Sequence, residues 1–186
     1  MIRSTRHFAV AALLALGAAA SLGCSNSAAP SSPEGAAASE APIRTDRAEY
    51  VADRAGGGVS LDIPIRYVNP TQGPVWVSTC HSVYPPTLEK LVGDAWVPAY
   101  NEPVLLCLGV PIVIQAGASY EYTFRVRASP RGTNTYPQFE LESVPGTYRL
   151  VWGVYEGDGT GLAKGEEPRL LPLDQRVSNS FRIIER

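Results

Sequence analysis

Hydrophobic residues recur at every second position in several stretches of the chain, a spacing typical of β-strands with one buried face. The first stretch is Val59, Leu61, Ile63, Ile65 and Tyr67. The second is Tyr120, Tyr122, Phe124 and Val126, and the third is Tyr148, Leu150, Trp152 and Val154. Polar residues fill most of the positions between them, so each stretch predicts an antiparallel strand with one face in the core and the other exposed.

Other segments complete the strand prediction. Thr87 to Val92 and Ala95 to Tyr100 flank Gly93-Asp94, a two-residue turn suited to positive φ, and predict a hairpin. Val177 to Ile184 predicts a closing strand, and Pro64 predicts an edge position or a bulge, because proline cannot donate to a ladder. With frequent Gly and Pro and no amphipathic helical window, residues 43–186 predict a single two-layer sandwich of about eight or nine strands.

The segment from Val144 to Leu150 adds a detail of architecture. A glycine, Gly146, stands two residues before Tyr148, which opens a predicted strand. This resembles the tyrosine corner of immunoglobulin-like sandwiches, in which the tyrosine hydroxyl bonds to backbone upstream. The resemblance implies an immunoglobulin-like antiparallel β-sandwich; an ordinary turn followed by a core tyrosine is the alternative.

The N-terminal residues predict export. Arg3 and Arg6 precede an uncharged stretch from Phe8 to Gly23, which is too short to span a bilayer as a helix. Its end, Ser21-Leu22-Gly23-Cys24, resembles the relaxed lipobox of bacterial lipoproteins, with Ser21 where leucine is usual. The resemblance implies a signal peptide over residues 1–23 and acylation of Cys24. A plain signal peptide cleaved nearby is the alternative.

Residues 24–42 predict a lipidated cysteine followed by a disordered tether. Ser25 to Pro42 is rich in Ser, Ala, Pro, Gly and Glu and contains no aromatic residue. The lipoprotein resemblance, with Ser25 rather than Asp after the cysteine, implies a membrane partner through the lipid anchor. It also implies a location in the cell envelope, at the outer membrane facing the periplasm.

Cys80 and Cys107 then remain as an even pair in an oxidising compartment, which predicts a structural disulfide. The loop that they close has about 28 residues, worth about 3.6 kcal/mol in the chain-entropy estimate. The predicted strand places Cys80 on the face of Trp76 and Ser78, so the bridge could pack under an indole. The order Trp, Cys, Cys differs from the Cys, Trp, Cys order of antibody domains.

The composition argues against catalysis and against nucleic-acid binding. Without Arg3 and Arg6 the chain has 14 basic and 18 acidic residues, a net charge of about −4. His81 is then the only histidine, and it stands beside Cys80, on the opposite face of a strand. Glu140 and Glu142 are more typical of a solvated face than of a catalytic pair. The sequence therefore predicts no enzyme, no cofactor and no resident metal.

Three segments are candidate binding loops. Five carboxylates lie between Glu156 and Asp174, among them Asp158, but their spacing does not follow a calcium-binding loop, and a solvated loop is the prediction. Arg131 and Gly132 form the tip of a loop over residues 128–137. Trp96, near the predicted turn, is a candidate for stacking on a sugar, although core packing is the default for an aromatic residue there.

These observations support a lipid-anchored envelope protein whose sandwich has a non-catalytic binding or structural role, with an envelope protein or a glycan as the partner. A second hypothesis is a proteinase inhibitor. The strand-rich body and the Pro-Gly-x-Tyr strand entry bear a likeness to the bacterial intracellular proteinase inhibitor domain. That likeness implies an exposed loop with Arg131 as the residue presented to a protease.

Overall fold

The computed structural model describes residues 41–102 and 109–186. These residues form eleven β-strands and three short 3₁₀ turns, and they contain no α-helix. The all-β prediction is confirmed, with more strands than the eight or nine expected because several have only three or four residues. The strands are β1 Ile43–Thr45, β2 Glu49–Ala52, β3 Val59–Val68, β4 Val75–Val77, β5 Thr87–Val92, β6 Ala95–Tyr100, β7 Ile112–Ile114, β8 Ser119–Ala128, β9 Gly146–Val151, β10 Val154–Glu156 and β11 Phe181–Glu185.

The strands form three sheets around one hydrophobic core. A five-stranded sheet has the order β2-β11-β9-β5-β6, and two three-stranded sheets have the orders β1-β3-β8 and β10-β4-β7. All pairs are antiparallel except β2 with β11, which is parallel. Tyr100 of β6 packs edge-on against Phe124 of β8 with ring centroids 6.0 Å apart, so side chains of the five-stranded sheet and of β1-β3-β8 meet in the core. This is the all-β sandwich that the sequence predicted.

The alternation predicted for β3 and β8 is confirmed. Along β3 the hydrophobic residues are buried, and along β8 Phe124 and Val126 are buried while Tyr120 and Tyr122 are half-buried. The prediction that β3 lies at an edge is wrong, because β3 is the central strand between β1 and β8. Pro64 is tolerated there because β1 ends at Thr45, opposite Ile65, so the missing N–H faces the side where the neighbouring strand has ended.

The third alternating stretch is not one strand. β9 ends at Val151 and β10 begins at Val154, and the two strands belong to different sheets. At the junction Trp152 donates its backbone N–H to Arg176 and its indole N–H to the carbonyl of Tyr84 at 2.7 Å. The alternation continues across this break because the side chains on both sides of it still point into the same core.

The corner at the start of β9 is confirmed. The Tyr148 hydroxyl donates to the backbone carbonyl of Val144, four residues upstream, and both residues are buried. Burial raises the pKa of Tyr148, and the charge of Glu185 raises it further. This hydrogen bond ties the loop before β9 to the strand itself.

Two strand boundaries differ from the predictions. The Gly93-Asp94 hairpin is present, with Val92 opposite Ala95, but the closing strand begins at Phe181 rather than at Val177. β4 ends at Val77, so Cys80 lies in an irregular segment and the predicted shared face with Trp76 is wrong. Thr79 and Val83 form an isolated bridge there, which turns the chain back on itself.

Candidate binding surface

A groove of about 440 Å³ lies over the outer face of the sheet β1-β3-β8. Its floor is Pro64 of β3 and Thr123 of β8, which are directly opposite each other in the ladder. The groove forms because Pro64 has a short, ring-closed side chain and because β1 has already ended beside it. The lining residues are Arg44, Thr45, Asp46, Pro64, Ile65, Arg66, Glu121, Tyr122 and Thr123.

Two arginines border this groove without a carboxylate partner. Arg44 and Arg66 are directly opposite each other on β1 and β3. Within the described residues neither lies within 4.0 Å of an acidic side chain. Arg44 donates to the carbonyl of Ala41 at 3.4 Å, and Arg66 donates to the Ser119 hydroxyl at 3.0 Å. The groove therefore presents two guanidinium groups that form no ion pair within the described residues.

The acidic residues of the groove are engaged differently. Asp46 accepts a hydrogen bond from the Tyr50 hydroxyl and lies 3.4 Å from Arg47. Burial and this carboxylate together raise the pKa of Tyr50. Glu121 faces Arg66 in the ladder but forms no ion pair with it. Asp46 is thus occupied by its own neighbours, whereas Glu121 is available to a ligand.

Half-buried aromatic rings lie behind the groove. Tyr122 packs on Trp152 with ring centroids 5.5 Å apart, and Tyr120 packs on the same indole at 6.1 Å. Burial raises the pKa of Tyr122, and the charge of Glu102 adds to the rise. These tyrosines mark the point where the core approaches solvent along β8.

Trp96, the candidate for stacking on a sugar, packs against a side chain of the protein. The guanidinium of Arg149 lies over the Trp96 ring, 4.5 Å from the ring centroid. Arg149 also forms a close ion pair with Glu89 at 2.7 Å, and both charged side chains are only 19% exposed. The three side chains form a closed cluster on the outer face of the five-stranded sheet.

Arg131 lies at the exposed tip of the loop after β8, as predicted. Its guanidinium is 3.6 Å from Glu142, and both side chains are largely exposed. Gln138 organises this loop by donating its amide to the carbonyl of Thr135 at 3.0 Å and to that of Thr133. The loop is therefore internally hydrogen-bonded around one glutamine side chain.

Asp158 lies in a solvated turn. Its carboxylate accepts hydrogen bonds from the backbone N–H and the hydroxyl of Thr160, at 3.0 and 2.7 Å. The backbone N–H of Thr160 holds the pKa of Asp158 below its usual range, with a further contribution from the hydroxyl. Glu156 pairs instead with Arg169 at 3.2 Å. Across residues 41–102 and 109–186 no acidic, histidine or cysteine side chains converge as a metal site would require.

The cysteine predictions fall mostly outside the described residues. Cys24 and Cys107 lie there, so acylation and the disulfide stay predictions. The described chain does bring the two cysteine regions together, because Gly109 donates to the carbonyl of Thr79 at 2.7 Å. Thr79 donates in turn to Val110 at 2.8 Å, and His81 is exposed in the same segment.

No contact joins Trp96, Arg131 and Asp158 in the described chain; each interacts with its own neighbours. The groove residues Arg44, Arg66 and Thr123 were not predicted as a site. The alternation placed Arg66 and Thr123 on outer faces of their strands, but only the register between strands shows that they border one groove. In the described part of the chain, no helix has the length and hydropathy of a membrane span.

Comparison with known proteins gives no family. No protein-family model matches the chain, and no curated protein matches it. Among solved structures the chain is similar to the ASH / PapD-like domain of human CEP192 (PapD-like domain 7), at 12% identity over 78% of this chain and 84% of that chain, with a TM-score of 0.28. A likeness at this level carries no functional inference, so a function has to be derived from the surface of this chain.

Proposed function

We propose that the protein is a lipid-anchored component of the cell envelope whose sandwich binds the acidic surface of an envelope partner and has no catalytic role. The observation that carries this proposal is the groove over β1-β3-β8, with Arg44 and Arg66 facing each other beside it. Like charges directly opposite each other in a sheet are destabilising, so this pair is costly to the isolated domain. A carboxylate from a partner would accept bidentate hydrogen bonds and remove the repulsion.

The anchor is part of the same proposal. Acylation at Cys24 would hold the protein at the membrane, and residues 25–42 would act as a tether that lets the sandwich reach its partner in the periplasm. The first strand begins at Ile43, which is fully buried. The hydrogen bonds between residues 79 and 109–110 support the Cys80–Cys107 disulfide, since they bring the chain two residues beyond Cys107 close to Cys80.

The groove is tested by crosslinking in intact cells. The full acylated chain is compared with an Arg44→Glu/Arg66→Glu variant. Arg182→Glu, on the outer face of the five-stranded sheet, is a charge-reversal control outside the groove. We expect a crosslinked partner to be lost in the double variant and kept in the control. Equal crosslinking of all three proteins would overturn the groove as the binding site.

The anchor is tested separately with labelled palmitate. Wild-type protein should incorporate the label and sediment with membranes, while Cys24→Ala should do neither. Membrane sedimentation and labelling of Cys24→Ala at the wild-type level would contradict the lipoprotein assignment. A thiol count on the purified domain under non-reducing conditions tests the disulfide, and two free thiols would contradict it.

We propose proteinase inhibition as the second candidate function. The observation that favours it is the loop around Arg131, which is exposed at its tip and held from within by Gln138. A rigid exposed loop is what tight protease inhibitors present. The soluble domain is assayed against trypsin-like and subtilisin-like proteases, with Gln138→Ala as a loosened loop and Arg131→Ala as a changed tip. Lack of inhibition across the panel would rule this candidate out.

A further inference from the structure

We propose that β8 accepts an extended peptide segment as an additional strand at its open edge, with an acidic residue of the peptide over Arg125. This inference deepens the proposed binding role by naming the form of the partner. It rests on the outward backbone groups of β8 and not on the side chains of Arg44 and Arg66, so the two proposals can fail separately.

The open edge follows from the register of β3 and β8. In an antiparallel ladder both polar backbone groups of a residue point to the same side, and they alternate along the strand. Arg127 donates its N–H away from β3, to the Tyr100 hydroxyl at 3.3 Å, which fixes the outward set as the odd-numbered residues. Within the described chain no hydrogen bond reaches the outward backbone groups of Glu121, Thr123 and Arg125. Such unpaired groups are a template for another strand.

Two other sheet edges, at β1 and at β6, are protected. The opposite edge of β1-β3-β8 is closed by Asn179, whose side chain accepts from the N–H of Thr45 and donates to its hydroxyl. At the edge strand β6, Pro98 has no N–H to offer, and the backbone N–H of Glu140 donates to the carbonyl of Ala99 at 2.8 Å. No proline or covering segment of the described chain protects β8 between Ser119 and Arg125.

The side chains of β8 indicate which residues the bound peptide should contain. On the outer face Arg125 is exposed and has no carboxylate within 4.0 Å in the described residues. On the core face Tyr120 and Tyr122 are only half-buried. A strand added here would put alternate side chains beside these rings and the others beside Arg125. The matching segment alternates apolar with polar residues and carries an acidic residue at the Arg125 position.

The test uses a fluorescein-labelled peptide of about nine residues that alternates valine with aspartate and threonine, long enough to cover the open stretch at about 3.4 Å per residue. Its binding to the full-length protein is measured by fluorescence anisotropy. We expect saturable binding, which is lost when alternate peptide nitrogens are methylated because the backbone pairing is then blocked. We also expect Arg125→Glu to shift the preference about fivefold towards a peptide with lysine in place of aspartate.

The matched protein variants are Thr123→Pro and Thr123→Val. Only Thr123→Pro removes an outward N–H, and neither variant removes a hydrogen bond to β3. Both variants should therefore unfold at the urea midpoint of the wild type. We expect Thr123→Pro to weaken peptide binding by at least about tenfold and Thr123→Val to leave it unchanged.

Three outcomes would overturn the proposal. The first is the absence of saturable binding by the wild type, and the second is equal binding by the two Thr123 variants. The third is a wild-type dimer in sedimentation that Thr123→Pro dissociates, which would make a second copy of the chain the occupant. The Arg44→Glu/Arg66→Glu crosslinking result does not depend on any of these, so it distinguishes failure of the edge from failure of the groove.

Discussion

Arg149 and the pair Arg44 and Arg66 lie on the outer faces of two different sheets and differ in how their charge is paired. On the five-stranded sheet, Arg149 lies between the Trp96 ring and the Glu89 carboxylate, and its charge is neutralised within the protein. On the sheet β1-β3-β8, Arg44 and Arg66 face each other with no carboxylate partner in the described chain. The first arrangement stabilises the fold, whereas the second costs stability and is available to a ligand.

The same difference appears on the inner surfaces of these sheets. The Tyr148 hydroxyl, on the five-stranded sheet, donates to Val144, while the buried Tyr67 hydroxyl, on β3, has no partner in the described chain. The edges follow the same division, since β6 is protected by Pro98 and β8 is open. The Tyr148 hydroxyl is thus satisfied within the protein, whereas the Tyr67 hydroxyl and the outward backbone groups of β8 have no hydrogen-bond partner in the described chain. Unsatisfied groups of this kind concentrate where proteins bind or react.

The largest effect on the free energy of unfolding should come from disrupting the cluster of Trp96, Arg149 and Glu89. Arg149→Met removes the charge that compensates Glu89, whose side chain is only 19% exposed, and it removes the contact with Trp96. We expect a loss of about 2 kcal/mol in the free energy of unfolding, measured by urea denaturation, after allowance for the partial exposure of the pair. Arg125→Met on the other sheet is the matched control and should change stability by less than about 0.5 kcal/mol. Equal losses of stability in the two variants would contradict the proposed difference between Arg149 and the unpaired arginines.

The next largest effect should be the difference in free energy of unfolding between Tyr148→Phe and Tyr67→Phe. Tyr148→Phe leaves the buried carbonyl of Val144 without a partner and should cost about 1.5 kcal/mol at neutral pH, whereas Tyr67→Phe removes an unpartnered hydroxyl and should cost nothing or stabilise the fold. A loss as large for Tyr67→Phe as for Tyr148→Phe would show that Tyr67 has a bonding partner in solution.

The pH dependence of the free energy of unfolding provides a second test of how Tyr67 is buried. Burial raises the pKa of Tyr67 from 10.0 to about 12, so the folded state keeps a proton that the unfolded state loses first. The resulting contribution to stability is fully present below pH 10 and is lost as the pH rises towards 12. The urea midpoint of Tyr67→Phe should therefore fall less steeply than that of the wild type over this range. Identical slopes would contradict the assigned shift.

Trp96 should show a smaller effect. Trp96→Leu keeps an apolar side chain but removes the ring under Arg149, and we expect a loss of about 1 kcal/mol in the free energy of unfolding. Sugar stacking predicts a different result, namely loss of glycan-array binding without loss of stability. The two outcomes distinguish a structural Trp96 from a ligand-binding one, with Trp96→Tyr expected to restore most of the stability.

The sequence predicted the fold better than the binding surface, for a physical reason. Alternation along one strand decides which residues face the core, so β3, β8 and the corner at Tyr148 could be predicted locally. Whether a strand is central or at an edge depends on non-local pairing, which is why Pro64 was placed at an edge and β8 was not. The groove needed the register between β1 and β3, and no local pattern sets Arg44 opposite Arg66.

The smallest effect belongs to that arginine pair, and a double-mutant cycle isolates it. Arg44→Met and Arg66→Met should each change the free energy of unfolding by less than about 0.5 kcal/mol, because both side chains lie on an outer sheet face without an ion pair. The coupling between them should be repulsive, about 0.3 kcal/mol, and should vanish at high salt, where charges on the surface are screened. The cycle is measured by urea denaturation at low and high ionic strength. An attractive coupling, or one that salt does not change, would mean that the two guanidinium groups do not face each other as unpaired charges. That result would contradict the proposal that the groove binds an acidic partner.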